Sequence, residues 1–277
     1  MERFFKYQGL GNDFVVLDRR DSGVDIDADM ARRLCHRHFG VGADGVLTIL
    51  PSPGAAGRMV VHNADGSIAE MCGNGLRCVV KHLAESDPNR PERLSVVTGA
   101  GTLACEVGWG AKEVELITVA MGPARLEAPI LPRGGPFIGQ PVIGSRLGTA
   151  VSMGNPHLVL LDAPHAEAQT IGPKLEHHAL FPERTNVEFV QRTSAGLEVV
   201  VWERGVGLTL ACGTGACAAV VASALAGQSP FDAWVPVELP GGQLEIKALS
   251  DRSQVWLRGP ARFVFEGRLP SVGSSLT

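Results

Sequence analysis

Short apolar runs rich in β-branched residues recur along the chain, each ending at charged, polar or turn-forming residues. They are FVVLD (Phe14–Asp18), MVVH (Met59–His62), LSVVT (Leu94–Thr98), LVLLD (Leu158–Asp162), EVVVW (Glu198–Trp202) and QVWL (Gln254–Leu257). Runs of this length and make-up predict strands. Two longer apolar segments have helical length instead: LRCVVKHLAES (Leu76–Ser86) and ACAAVVASALAG (Ala216–Gly227). The second is nearly apolar on all sides, which predicts a helix buried within its domain. Cys35, His36 and His38, following DIDADMARRL (Asp25–Leu34), lie in what reads as a third helix. Residues 126–150 are dense in Pro and Gly and predict a linker with loops.

These elements come in two sets. GNDFVVLD from Gly11 is answered by GNPHLVLLD from Gly154, and VVHN from Val60 by VVWE from Val200. MCGNG around Cys72 is answered by ACGTG around Cys212. Gly101 and Leu103 find partners in Gly242 and Leu244, and GPAR at Gly122 returns at Gly259. Five matches in one order, each about 140 residues apart, mean two copies of one α/β unit. The division predicted is 1–124 and 125–262, with the segment 263–277 returning to the first domain because the second copy has no position left for it.

Composition narrows the function classes. The chain has 277 residues, 45% hydrophobic and 19% charged, and a net charge of −4. No basic run marks it for nucleic acid. The uncharged stretch Gly205–Phe231 is rich in Gly and Ala rather than Leu and reads as a buried turn and helix, so no membrane partner is expected. Six cysteines without a C-x-x-C pair do not make a disulfide scaffold, and the charged start MERFFKYQ is unlike a signal peptide. The expectation is a cytoplasmic protein acting on a small molecule.

The candidate chemistry lies in the repeated cysteines. Cys72 and Cys212 each follow a strand and precede a glycine-flanked helix start. Free backbone N–H groups and the positive helix end there favour thiolate over thiol. The glycines let those donors approach a bound anion. Two thiols at equivalent places in a pseudo-twofold pair suit one reaction: removing a proton from one face of a carbon and returning one to the other. One thiol starts as thiolate and the other as thiol, and the pair titrates as a unit. The five lysines, Lys6, Lys81, Lys112, Lys174 and Lys247, occupy no Schiff-base or P-loop pattern, so no cofactor is expected. No metal is expected either, because Cys35, His36 and His38 are spaced so that one helix face cannot carry all three. A Cys/His hydrolase built on one cysteine and His157 would leave the second cysteine unexplained.

GLGNDF (Gly9–Phe14), NADGS with MCGNGLRC (Asn63 to Cys78), MGNPH (Met153–His157), TNVEF (Thr185–Phe189) and ERGVGLTLACGTG (Glu203–Gly215) together resemble the diaminopimelate epimerase family, over essentially the whole chain. The related proline and hydroxyproline racemases share the cysteine pair but read MCGHG where this chain has Asn74. The resemblance implies an α/β (α+β) fold of two pseudo-symmetric domains, each a β-barrel-like sheet wrapped round a central helix. It also implies an inter-domain active site and a homodimer. The activity implied is cofactor-independent epimerisation of LL-diaminopimelate to the meso form, in lysine and peptidoglycan precursor synthesis.

Carried over by position, Cys72 and Cys212 are the catalytic thiols. Gly73, Asn74, Gly213 and Thr214 hold the reacting carboxylate. Asn12, Asn63, Asn155, Asn186, Glu203 and Arg204 grip the substrate, chiefly its remote ammonium and carboxylate. His157, beside Asn155, supports proton movement or is a structural hydrogen-bonding residue. Two departures stand out: Tyr7-Gln8 where relatives often read Met-His, and Gly45 where some carry Gln.

Overall fold

The computed structural model describes residues 2–270. It divides into two compact units, Met1–Thr118 with Pro260–Thr277, and Val119–Gly259. The first holds β1 (Arg3–Gly9), β2 (Asn12–Asp18), α1 (Ala28–Cys35), β3 (Gly45–Leu50), β4 (Gly57–Asn63), β5 (Ile68–Ala69), α2 (Gly73–Ser86), β6 (Arg93–Thr98) and β7 (Gly101–Trp109). β8 (Val114–Gly122) carries the chain into the second unit. There follow β9 (Gln140–Ile143), β10 (Arg146–Ser152), β11 (Pro156–Leu161), α3 (Ala168–Glu176), β12 (Asn186–Arg192), β13 (Leu197–Glu203), β14 (Gly207–Thr209), α4 (Gly213–Leu225), β15 (Val235–Leu239), β16 (Gly242–Ala248) and β17 (Val255–Gly259). The last strand, β18 (Arg262–Arg268), pairs antiparallel with β1 in the first unit. Residues 271–277 of the C-terminal segment lie outside the described residues.

The duplication is visible in the strand pairing. In the first unit β1–β2, β3–β4, β4–β5 and β6–β7 are antiparallel, while β2–β3 and β4–β6 are parallel. In the second, β10–β11, β12–β13, β13–β14 and β15–β16 are antiparallel, and β11–β12 and β13–β15 parallel. The registers Phe14↔Gly45 and His157↔Asn186 match the repeats residue by residue. Both turns into β2 and β11 use a glycine at positive φ, Gly11 at 82° and Gly154 at 97°, a conformation that a β-carbon disfavours.

In each unit the strands surround one helix without closing into a barrel. α2 touches β1, β2, β3, β4, β6, β7 and β18, and α4 touches β10, β11, β12, β13, β16 and β17. The apolar α4 needs no help to be buried. α2 is buried although it carries Arg77, Lys81 and His82, because each polar tip finds a partner. Lys81 donates to Glu113 and the Val114 carbonyl at 2.8 and 2.6 Å, and Tyr7 and Asp18 lie 3.2 and 3.3 Å from the two ring nitrogens of His82.

Residues 126–150 are not all loop. β9 and β10 form an antiparallel hairpin across Gly144. Prolines and glycines mask it in the sequence, yet Gly148 is where the strand must run bare: a Cβ there would lie 2.6 Å from Leu158. Helix α1 lies earlier than the sequence suggests: Asp27 caps the Met30 N–H at its start, and it ends at Cys35, so His36 and His38 fall outside it. At its other end the His36 Nδ1 accepts the backbone N–H groups of His38 and Phe39, a local turn. Among the described residues no group of three or more His, Cys, Asp and Glu is placed to hold a metal ion.

Candidate active site

Each repeated cysteine is the N-cap of the buried helix in its unit. Cys72 caps α2 in extended backbone (φ −138°, ψ 113°), and its Sγ accepts the Gly75 N–H at 3.4 Å. Cys212 caps α4 the same way (φ −121°, ψ 110°), accepting the Gly215 N–H at 3.4 Å. An oxygen of Ser or Asp usually fills this place. A sulfur there faces the positive helix end and the free N–H groups of the first turn, where negative charge is favoured.

Around Cys72 the cluster is Asn12, Asn74 and Arg77. The thiol points at Asn12 Oδ1, 3.8 Å away, and Asn74 Nδ2 donates to the same oxygen at 3.4 Å. Arg77, fully buried, donates to Asn74 Oδ1 at 2.9 Å and to the Gly73 and Pro260 carbonyls. Asn12 Nδ2 donates to Asp44 at 2.8 Å, and Arg37 bridges Asp44 and Asp13. Asn63 ends β4 and is exposed, its amide donating to Ser67 Oγ at 2.9 Å.

The neighbours of Cys212 are acidic. Cys212 is 8% exposed; burial, then the charges of Glu203 and Glu188, push its thiol well above the ordinary range. Thr214 Oγ1 lies 3.5 Å from the sulfur, in hydrogen-bond contact, and Asn155 Nδ2 donates to that hydroxyl at 3.3 Å. Glu203 accepts the Thr209 hydroxyl at 2.6 Å, and its burial raises its own carboxyl above the usual range. His157 lies between Asn155 Oδ1, 2.9 Å from Nε2, and Glu188 Oε1, 2.7 Å from Nδ1.

Asn186 fixes the backbone that bears the remote-end candidates. Its Nδ2 donates to the Pro156 carbonyl and its Oδ1 accepts the Arg204 N–H, both at 2.9 Å. The side chain of Arg204 donates to the Glu183 carbonyl at 3.0 Å.

Thus Asn12, Cys72, Gly73 and Asn74 come together in one unit. Asn155, His157, Glu203, Cys212, Gly213 and Thr214 come together in the other, with Asn186 tied to Arg204. The departures are local. Gln8 Oε1 accepts the Gly11 N–H at 2.9 Å in the turn leading to Asn12. A Cβ on Gly45 would lie 2.8 Å from the His62 carbonyl, so the backbone there leaves no room for a side chain.

Sequence reasoning passed over three residues. Arg77 and Glu188 are buried next to the capping turns. Glu176, at the end of α3, accepts Gly205 N–H at 2.9 Å and Trp202 Nε1–H at 2.8 Å, holding the turn of Glu203 and Arg204 from behind. The one available signal was for Glu188: in the repeat it replaces Leu47.

The family model for diaminopimelate epimerase matches residues 4–127 and 149–264. The diaminopimelate epimerase of Moorella thermoacetica is 44% identical over 279 residues, covering 96% of this chain and 99% of that one. The chloroplastic diaminopimelate epimerase of Oryza sativa subsp. japonica is 43% identical, covering 95% of this chain and 79% of that one. Solved structures share the fold at low identity. A phenazine biosynthesis protein of the PhzF family from Bacillus anthracis has a TM-score of 0.69 at 15% identity, covering 97% of this chain and 99% of that one. A hydroxyproline epimerase from Agrobacterium vitis has 0.67 at 15%, covering 97% and 90%. With thiols, caps and repeats in their places, and a family model matching across most of its length, the chain belongs to the diaminopimelate epimerase family.

Proposed function

We propose that this isomerase interconverts LL- and meso-diaminopimelate without a cofactor, using Cys72 and Cys212 as the two acid/base groups for opposite faces of one α-carbon. The observation that carries the reading is that both thiols cap buried helices in equivalent turns, each accepting the N–H of the third residue beyond it. A thiolate takes the α-proton while the other thiol returns one from the far side. The first-turn N–H groups of Gly73 and Asn74, and of Gly213 and Thr214, bind the reacting carboxylate and stabilise the negative charge that develops. Beside Cys212, burial raises the Glu203 carboxyl above its usual range, which places a titratable group next to the thiol.

Arg204 and the neighbouring amides grip the remote carboxylate and ammonium, which ordinary amino acids lack. Among the described residues no helix is long and apolar enough to cross a membrane. We place the enzyme in the cytoplasm, as a homodimer, in lysine and peptidoglycan precursor synthesis.

The test is incubation with LL-diaminopimelate in deuterium oxide, following α-deuterium and meso product together. Both form with the native protein and neither with Cys72→Ala or Cys212→Ala. Turnover surviving the loss of either thiol would refute the two-thiol mechanism.

A further inference from the structure

Beneath Cys212 sits a carboxyl group that this mechanism does not use. Glu188, on β12, is fully buried, and so is His157 on β11. Glu188 Oε1 lies 2.7 Å from His157 Nδ1, while Glu188 Oε2 has no hydrogen-bond partner. His157 Nε2 lies 2.9 Å from Asn155 Oδ1. An amide oxygen only accepts, so Nε2 carries a hydrogen. A second proton must then lie in the contact between Glu188 and Nδ1, since two bare acceptors would repel at that distance. The pair is net neutral, whichever atom holds the shared proton. The bare Oε2 agrees, because an uncompensated carboxylate would be costly in this place.

From there the donors run one way. Asn155 Nδ2 donates to Thr214 Oγ1 at 3.3 Å, and this leaves the hydroxyl's own hydrogen for the Cys212 sulfur, 3.5 Å away. The groups facing that sulfur are Thr214 and the Gly215 N–H from α4, Glu203 from β13, and, through the chain, His157 and Glu188.

The other repeat shows that packing does not require this pair. By strand register, Phe14 and Leu47 are the equivalents of His157 and Glu188. Helix α2 starts against Leu47, whose methyl lies 3.0 Å from a Cβ placed on Gly75. Helix α4 starts against Glu188 Oε1, 2.9 Å from a Cβ placed on Gly215. Two apolar residues fill in one unit the place that a polar pair fills in the other.

We propose that Glu188 is a positioning residue for Cys212: it holds His157 in the Nε2–H form, and through Asn155 and Thr214 turns a hydroxyl hydrogen onto the sulfur. The chain favours the thiolate against burial and the charge of Glu203, and the charge of Glu188, which alone would oppose it, is cancelled within its neutral pair with His157. The catalytic consequence rests on the two-thiol reading above, but the test does not.

In the native protein, 15N spectra of labelled histidine should show the hydrogen of His157 on Nε2. In a Cys72→Ala background, alkylation of Cys212 by iodoacetamide at about pH 8 should fall about tenfold with Glu188→Leu, one unit of thiol pKa. Glu188→Gln, whose amide can donate to Nδ1, should restore the rate to within about twofold. Cys72, read in a Cys212→Ala background, should not respond. If Glu188→Leu does not fold, His157→Phe/Glu188→Leu copies the Phe14–Leu47 pair and must show the same selective loss.

A bare Nε2, an unchanged Cys212 rate in the leucine variants, or equal losses at both thiols would overturn the proposal. No substrate enters these measurements. A failure to epimerise diaminopimelate would therefore sink the function reading and leave this one standing.

Discussion

Glu176 offers a test of how the remote-end grip is built. Its carboxylate is 4% exposed and accepts Trp202 Nε1–H at 2.8 Å and Gly205 N–H at 2.9 Å, with Arg184 at 3.3 Å. Glu176→Ala removes two bonds from neutral donors to its carboxylate, of about 1.5–3 kcal/mol each, and the half-exposed Arg184 pair, which adds about 0–1 kcal/mol. Gly205 is exposed and can turn its N–H to water, so the net loss should be about 2–4 kcal/mol. For a chain of this size that is a fall of roughly 4–16 °C in Tm. Because the turn carries Glu203 and Arg204, KM should rise about tenfold with kcat changed much less, the pattern of lost uniform binding.

Glu176→Gln, which keeps an acceptor, should lose about half as much stability. Burial raises this carboxyl, but the bonds from Trp202 and Gly205 outweigh it, and the net shift is downward. A group with a lowered folded value contributes stability above its unfolded value, near pH 4.3, and loses it as the pH falls through the folded value. The gap between native and Gln variant should therefore close on acidification. A variant that lost kcat at unchanged KM and Tm would refute the anchoring role.

Three further outcomes can be checked with less effort. Gly215→Ala puts a Cβ 2.9 Å from Glu188 Oε1 and 3.3 Å from Cys212 Sγ, whereas Gly75→Ala meets Leu47 methyls at 3.0 and 3.2 Å and the Cys72 Cβ at 3.5 Å, with no sulfur at close range. Overpacking of about 1–3 kcal/mol is partly offset by about 1 kcal/mol of helix propensity, so both variants should fold, with the larger loss of turnover in Gly215→Ala. Burial pushes Cys35 up to about 11 and Cys78 and Cys105 up to about 12, so mass spectrometry of the native protein alkylated near neutral pH should find none of the three modified. Asp18 is held well below its ordinary value: burial opposes this, but bonds from His82 and Arg20 win. Its stabilisation is present above about pH 3.9 and lost below, so Asp18→Asn should flatten the acid limb of a stability–pH curve and leave its neutral side lowered.

The duplication, the two thiols and the helix starts were legible because they depend on local signals. A Cys-Gly step after a strand and before an apolar segment is a short-range pattern, and its recurrence fixes the repeat. The buried polar residues near the thiols were harder to see. Glu188 lies in the strand VEFVQ, where an isolated acid reads as a solvent-side position, yet its side chain is buried. Arg77 and Lys81 look like the polar face of an amphipathic helix, but strands on every side of α2 leave that helix no solvent face. Hairpin β9–β10 was hidden by turn residues, and its pairing with the rest of the unit is set by contacts such as Gly148 on Leu158.

What the two repeats keep and what they change separates fold from chemistry. Both keep the capping sulfur, the flanking glycines and an Asn before the inward strand, at positions 12 and 155. Around that frame each substitution is electrostatic: Phe14 and Leu47 against His157 and Glu188, Gly45 against Asn186, Arg77 one helical turn beyond Cys72 against Cys217 beyond Cys212. The strand ends following His62 and Trp202 carry Asn63 in one unit and Glu203 in the other. Two thiols in identical surroundings would hold one shared proton with equal preference, and neither direction of reaction would begin from a defined state. A buried arginine on the helix that Cys72 caps, against acids and a hydroxyl around Cys212, makes the two surroundings unequal. The fold is symmetric because one unit was copied; the two-thiol mechanism proposed above needs the copies to differ, and they differ in the polar groups nearest the two sulfurs.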